Sequence, residues 1–300
     1  MMGKMKILSK LAIAVAMVIA SMAACADPFT PAKIPQAPSR AKLEVAPGGL
    51  SFVKCELNGK PCTLIFDTGA THTTFDIGFV KREFPDMEFR DLVMGGEATT
   101  NVGQQTKIFE VESFKVGEAE FGGFTAMALD MGAFGVDGIL GFNVIGSTRI
   151  VISFGSGEVS FGLPIEARKG FSAPARRILN PLEPTTVTLS ADCGKGPFAL
   201  FIDSGSTWTF LQRDCGWPAT TNELAFTAHD INGAGMLQPV VGEKGILRLS
   251  PACEIEVAPL LSQEPLNRIG SDVLQKYDIL IEPRAVAFRK AKTENETHAE

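Results

Sequence analysis

The sequence is short of the residues that most enzyme chemistries draw on. Among 300 residues it holds three histidines, one tyrosine and two tryptophans, and no H-E-x-x-H, C-x-x-C, P-loop or G-x-S-x-G pattern. With only His72, His229 and His298 available, a zinc centre or a Ser-His triad has little to build on, and no metal or cofactor is expected. A basic excess is also missing. Lys and Arg number 28 against 34 acids, a net charge of −6, and no basic stretch is long enough to track phosphates, so nucleic acid is not an expected partner. Nor does the body sustain a helical apolar period over about 12 residues, which leaves strands as the main element.

What is present begins with an export-type leader. Lys4, Lys6 and Lys10 precede an apolar run from Leu11 to Ala24 that ends in small residues, shorter than the roughly 20 apolar residues of a spanning helix. Two exits are open: Met22-Ala23-Ala24-Cys25 matches a lipobox with Cys25 lipidated, and Ala24-Cys25-Ala26 also fits an A-x-A cleavage site. The expectation is a signal peptide over 1–26 of the lipoprotein type. Ala26 in place of aspartate behind the cysteine points to outer-membrane attachment facing the periplasm, with the lipid as the sole membrane contact. Asp27 to Pro47 carries five prolines and reads as an extended, water-exposed tether.

At 45% hydrophobic and 21% charged residues, the remainder falls in the globular range. Short apolar runs such as Leu64-Ile65-Phe66, Ile150-Val151-Ile152, Val187-Thr188-Leu189 and Ile279-Leu280-Ile281 are bounded by Gly, Pro or Asp, the signature of strands. Short helices are expected near Asp76 to Phe84 and Val273 to Lys276. Cys55 and Cys62 flank Asn58-Gly59, a two-residue hairpin signal that sets the cysteines opposite each other, as a disulfide or as two buried thiols.

One pattern occurs twice. KPCTLIFDTGAT (Lys60 to Thr71) aligns with GPFALFIDSGST (Gly196 to Thr207), and ILGFNVIGSTRIVI (Ile139 to Ile152) aligns with RIGSDVLQKYDILI (Arg268 to Ile281). A period this long means two copies of one small β domain. The expected lobes are 48–163 and 185–288, joined by a proline-rich, basic linker over 164–184 and followed by a disordered tail over 289–300. Gly194, Gly196 and Ala199 also match G-x-G-x-x-A, but Pro197 and a strand stand where a dinucleotide-binding helix would begin.

Each copy ends an apolar strand in a carboxylate at a tight, glycine-containing turn: Asp67-Thr68-Gly69-Ala70 and Asp203-Ser204-Gly205-Ser206. This pair resembles the aspartic peptidases of the pepsin/retropepsin clan, in particular the bacterial retropepsin-like aspartyl protease family. The resemblance implies an all-β fold with two homologous acid-protease β-barrel lobes about a pseudo-twofold axis, each lobe donating one aspartate. It implies an aspartic endopeptidase, monomeric and acting on peptides, in which Asp67 and Asp203 activate a water. Thr68 and Ser204 would tie the two turns together beside Gly69 and Gly205, and Ala70 and Ser206 would tune the working pH towards mild acidity. The flap tyrosine of pepsin-like members has no counterpart, since the one tyrosine, Tyr277, lies elsewhere. The Gly-rich segment Met94 to Gly103, with Gly95 and Gly96, is the flap candidate, its alternative being a surface loop. His72 is read as a solvated loop residue, and Trp208 and Phe210 as core in preference to a substrate pocket. The rival to a peptidase is a catalytically inert peptide-binding envelope lipoprotein with the same fold.

Overall fold

The computed structural model describes residues 29–30, 32–33, 38–46, 49–92, 106–132, 135–178, 187–224, 228–229, 236–237, 239–250, 253–263 and 267–291. The leader with Cys25, and the flap candidates Gly95 and Gly96, lie outside these residues. Among those described, no helix is long and apolar enough to cross a membrane.

The fold is all-β, and its two lobes repeat one plan. In the first, the strand Lys60–Phe66 runs parallel to Gly138–Leu140, which in turn lies antiparallel to Thr74–Asp76. In the second, Pro197–Ile202 runs parallel to Arg268–Ile269, which lies antiparallel to Phe210–Gln212. The outer neighbours match as well: Thr74–Asp76 pairs in parallel with Ala119–Leu129, and Phe210–Gln212 with Leu260–Ser262. The internal repeat of the sequence is therefore a repeat of strand topology.

Local chemistry sets the elements. Asn58 and Gly59 both take positive φ, 45° and 79°, which is what a two-residue hairpin with the twist of its strands requires. The Asn58 carboxamide oxygen then accepts from the N–H groups of Glu112 and Ser113 and fixes the turn to the next strand. Ser51–Leu57 alternates buried and open positions along its length, as a half-covered strand does. The helix Ile77–Glu83 starts on Asp76, whose carboxylate accepts from Phe79 N at 2.8 Å, and carries Lys81 and Arg82 in its last turn, both favourable to the helix dipole. Phe75 anchors the first core with edge-on contacts to Phe109 and Phe114 at 5.8 and 6.0 Å.

The hairpin brings Cys55 opposite Cys62, and both are buried thiols, not a disulfide. Burial, then the neighbouring Cys62, hold the Cys55 thiol well above its ordinary range. The thiolate that would begin disulfide exchange is thereby suppressed.

Three segments depart from the expected boundaries. Ser39–Val45, inside the expected tether, is a strand paired with both Glu158–Phe161 and Ser51–Leu57, with Ala41 and Leu43 buried. Ala175 of the linker is buried in a short strand against Ala285–Lys290. The expected tail begins inside that last strand, where Arg289 pairs with Asp278 at 2.6 Å. Residues 277–290 of the second half thus join the first: Tyr277–Glu282 pairs with Ile150–Ser153, continuing one sheet through both halves. Tyr277 packs edge-on against Phe288 in this sheet. Glu282, 4% exposed, is bound there by Arg149 at 2.8 Å and by Arg168. Burial alone would raise its pKa, but the two guanidiniums hold the carboxyl below its ordinary range, so this buried charge is paired from both sides.

Candidate active site

Asp67 and Asp203 stand at the ends of equivalent strands, each turn held by the same bonds. Asp67 N donates to Leu140 O at 3.1 Å and Asp203 N to Ile269 O at 3.0 Å. Phe142 N donates to Ala70 O and Ser271 N to Ser206 O, at 2.7 and 2.8 Å. Gly141 N donates to Thr73 Oγ1 and Gly270 N to Thr209 Oγ1, at 3.1 and 3.0 Å. Both glycines are needed, because a side chain at Gly141 would enter the backbone of His72 and one at Gly270 the backbone of Trp208.

Between the turns lies a reciprocal lattice of hydrogen bonds made by two fully buried side chains, Thr68 and Ser204. Thr68 Oγ1 donates to Ile202 O at 2.7 Å and accepts from Ser204 N at 3.1 Å. Ser204 Oγ donates to Phe66 O at 2.9 Å and accepts from Thr68 N at 3.0 Å. Each hydroxyl thus both donates and accepts across the lobe boundary, where low polarity strengthens such a network.

The lattice forces the carboxylates together. A side chain at Gly69 would stand 2.6 Å from Asp203 Cγ, and one at Gly205 would enter the Asp67 carboxyl group, so each aspartate lies over the glycine of the opposite turn. Substituting alanine at Gly205 is expected to displace Asp67 and reduce any hydrolysis by at least about a hundredfold. Peptide turnover by Gly205→Ala beside Gly132→Ala, where the new carbon stands 3.7 Å from Asp130 Oδ1 in ordinary contact, checks this; equal turnover in the two would contradict the packing argument.

The two carboxylates are alike in position and different in surroundings. Asp67 Oδ1 accepts from Gly69 N and Ala70 N at 2.7 and 3.2 Å. Burial first, and then the charge of Asp203, push its pKa up from 3.8 to about 7 against those two bonds. Asp203 Oδ1 accepts from Ser206 N at 3.0 Å, while its Oδ2 faces Arg268 Nη1 at 3.3 Å. Ser206 reaches the carboxylate by its backbone alone, because its hydroxyl donates to Trp208 O at 2.8 Å. The expected pH tuning by that hydroxyl is not made through a bond to Asp203.

His72 Nδ1 lies 3.1 Å from Thr71 Oγ1. Phe210 is 6% exposed and belongs to the core, as expected, whereas Trp208 is 46% exposed on the loop that follows Asp203. That exposure corrects the core reading for Trp208: the strand begins only at Phe210, after the turn. Arg268 is a residue of the site that sequence reasoning misses. Its signal is the repeat itself, which sets this charge against Ile139 of the first copy.

Among the described residues, no group of three or more His, Cys, Asp or Glu could hold a metal ion. The strands on either side of residues 93–105, Arg90–Leu92 and Thr106–Val116, pair antiparallel with Leu92 opposite Thr106. No curated protein matches the chain. Residues 53–144, which carry Asp67 and its supporting turn in the first lobe, match the family model described as aspartyl protease.

Proposed function

We propose that the protein is an aspartic endopeptidase that hydrolyses peptide bonds with a water activated between Asp67 and Asp203. The observation that carries this reading is the reciprocal Thr68–Ser204 lattice, which commits four buried hydrogen bonds to holding two acids in contact. Burying like charges side by side is costly, and such sites are where acid–base chemistry is found.

Two adjacent carboxylates share one proton over their working range, because the first ionisation opposes the second. Aspartic proteases are the standard example of this behaviour. The ionised member takes a proton from the water as its oxygen attacks the scissile carbonyl carbon. The protonated member bonds to the carbonyl oxygen and stabilises the charge that gathers there. Proton return to the amide nitrogen then releases the amine as the C–N bond breaks, and the carboxylates regain their starting state. No covalent enzyme intermediate is formed.

Trp208 offers an exposed ring beside the Asp203 turn, suited to packing against a substrate side chain. The reading includes export, with Cys25 as the lipidated residue, periplasmic work at the outer membrane, and action as a monomer, since one chain supplies both aspartates.

A mixed peptide library incubated with the protein from mildly acidic to neutral pH tests the reaction. Internal cleavage of the peptides is the expected result. Binding of the peptides, followed by a change in Trp fluorescence, without any cleavage at any pH would replace the peptidase with an inert peptide-binding protein.

A further inference from the structure

Beside the Asp203 carboxylate the pseudo-twofold symmetry of the site is broken by a cation. Arg268 and Ile139 are equivalent in the repeat, and their backbones are equivalent too: Arg268 pairs in parallel with Phe201 and antiparallel with Phe210, as Ile139 pairs with Ile65 and Thr74. The first lobe puts an isoleucine there and the second a cation. The Arg268 side chain, 25% exposed, lies with its guanidinium carbon 5.7 Å from the centre of the Phe210 ring and its Nη1 3.3 Å from Asp203 Oδ2. Its Nε is buried without a hydrogen-bond partner among the described residues. Among the described residues this arginine is held by a ring and one carboxylate, with no bidentate or backbone contact, a placement suited to electrostatics.

We propose that Arg268 is a positioning residue that sets the direction of the shared proton, holding Asp203 as the ionised base and leaving the proton on Asp67 as the acid. This rests on the peptidase reading above and assigns the two roles within it. The other charges around the pair do not compete. Asp67 is bonded by the neutral N–H groups of Gly69 and Ala70 and has no ion pair among the described residues. Asp272, on the short helix behind the Asp203 turn, accepts from Thr209 at 2.8 Å and faces Lys276. His72, on the turn after Asp67, sits against Thr71. Arg268 is the one cation bonded to either carboxylate among the described residues.

A cation beside one member of a coupled pair favours loss of both protons, so it lowers both limbs of a bell-shaped pH profile. Arg268→Ile, the residue the first lobe uses at this position, is the variant to make, with Arg268→Lys as the charge-keeping control. On one peptide substrate, both limbs of kcat/KM are expected to move to higher pH by about one unit or more in Arg268→Ile, and Arg268→Lys to return part of that shift. Carbon NMR of the Asp67 and Asp203 carboxyl groups gives a readout that needs no turnover. Asp203 is expected to ionise first in the parent, and the order to be lost in Arg268→Ile. A folded Arg268→Ile whose limbs do not move, or a parent in which Asp67 ionises first, would overturn the assignment. A parent that cuts no peptide removes the peptidase reading, while the NMR titration still decides which carboxyl group Arg268 holds ionised.

Discussion

Asp67→Asn and Asp203→Asn are each expected to lower peptide hydrolysis by at least about a thousandfold while leaving the protein folded. Asparagine keeps an oxygen for the N–H groups of Gly69 and Ala70, or for that of Ser206, so the turns need not move. What disappears is the exchange of a proton between two acids, and neither carboxylate has a substitute close by. The two effects should not add in the double variant, because acid and base act as one unit. Initial rates on a peptide that the parent cleaves check this. An Asn variant retaining a tenth of the parent rate would remove that aspartate from the chemistry.

The same substitution carries a stability signature of known sign. The pKa of Asp67 is raised in the folded state, to about 7 from 3.8, so folding is favoured by proton uptake there. That contribution is fully present below the unfolded value and is lost as pH rises through the folded one. The asparagine of Asp67→Asn does not titrate. The Tm of this variant relative to the parent is therefore expected to climb between about pH 4 and pH 7, by roughly 2–4 °C for each kcal/mol relieved. A site that weakens the fold to hold an acid in place should be easier to stabilise than to improve.

The second large effect belongs to the lattice beneath the aspartates. Thr68→Val keeps the shape of the side chain and removes its hydroxyl, leaving Ile202 O and Ser204 N without their partner in a fully buried setting. Ser204→Ala does the same to Phe66 O and Thr68 N. Each is expected to cost about 2–4 kcal/mol, since each strands two buried backbone groups. The pair should couple by about 1–3 kcal/mol in a double-mutant cycle, because each hydroxyl orients the turn that the other bonds to. Urea unfolding of the four proteins measures both quantities. Costs near zero, or strict additivity, would mean that the two turns are positioned by their own strands and not by each other.

Much of the site can be read in the sequence because it is written twice. The aspartates, their glycines and the Thr68 and Ser204 hydroxyls occupy matching places in two copies, and the structure matches those copies strand for strand. Features without a second copy are harder to see. Ser39–Val45 buries just Ala41 and Leu43 among charged neighbours and lies between prolines, so composition masks its alternation. Arg289 and Lys290 look like the start of a polar tail, yet Arg289 is paired across the sheet with Asp278, a partner that local sequence does not announce. Arg268 is hidden for the opposite reason. Alignment of the repeat draws the eye to what agrees, and this residue matters because it differs.

The sheet shared by the two halves also bears on when the protein becomes competent. Ile150–Ser153 takes its partner from Tyr277–Glu282, and that strand in turn is closed by Ala285–Lys290. A chain made from its N-terminus has the entire first lobe in hand long before these residues exist. Until then Ile150–Ser153 is an open strand edge with an unmet ladder of hydrogen bonds, and for the earlier part of that interval, before Asp203 is made, Asp67 has no second acid beside it. Synthesis itself thus acts as a timer: Tyr277–Lys290, made after the Asp203 turn, seals the sheet. A nascent chain released before Tyr277 would carry an adhesive edge even with both aspartates made, which makes loss of Tyr277–Lys290 costly to the first lobe as well as to the second.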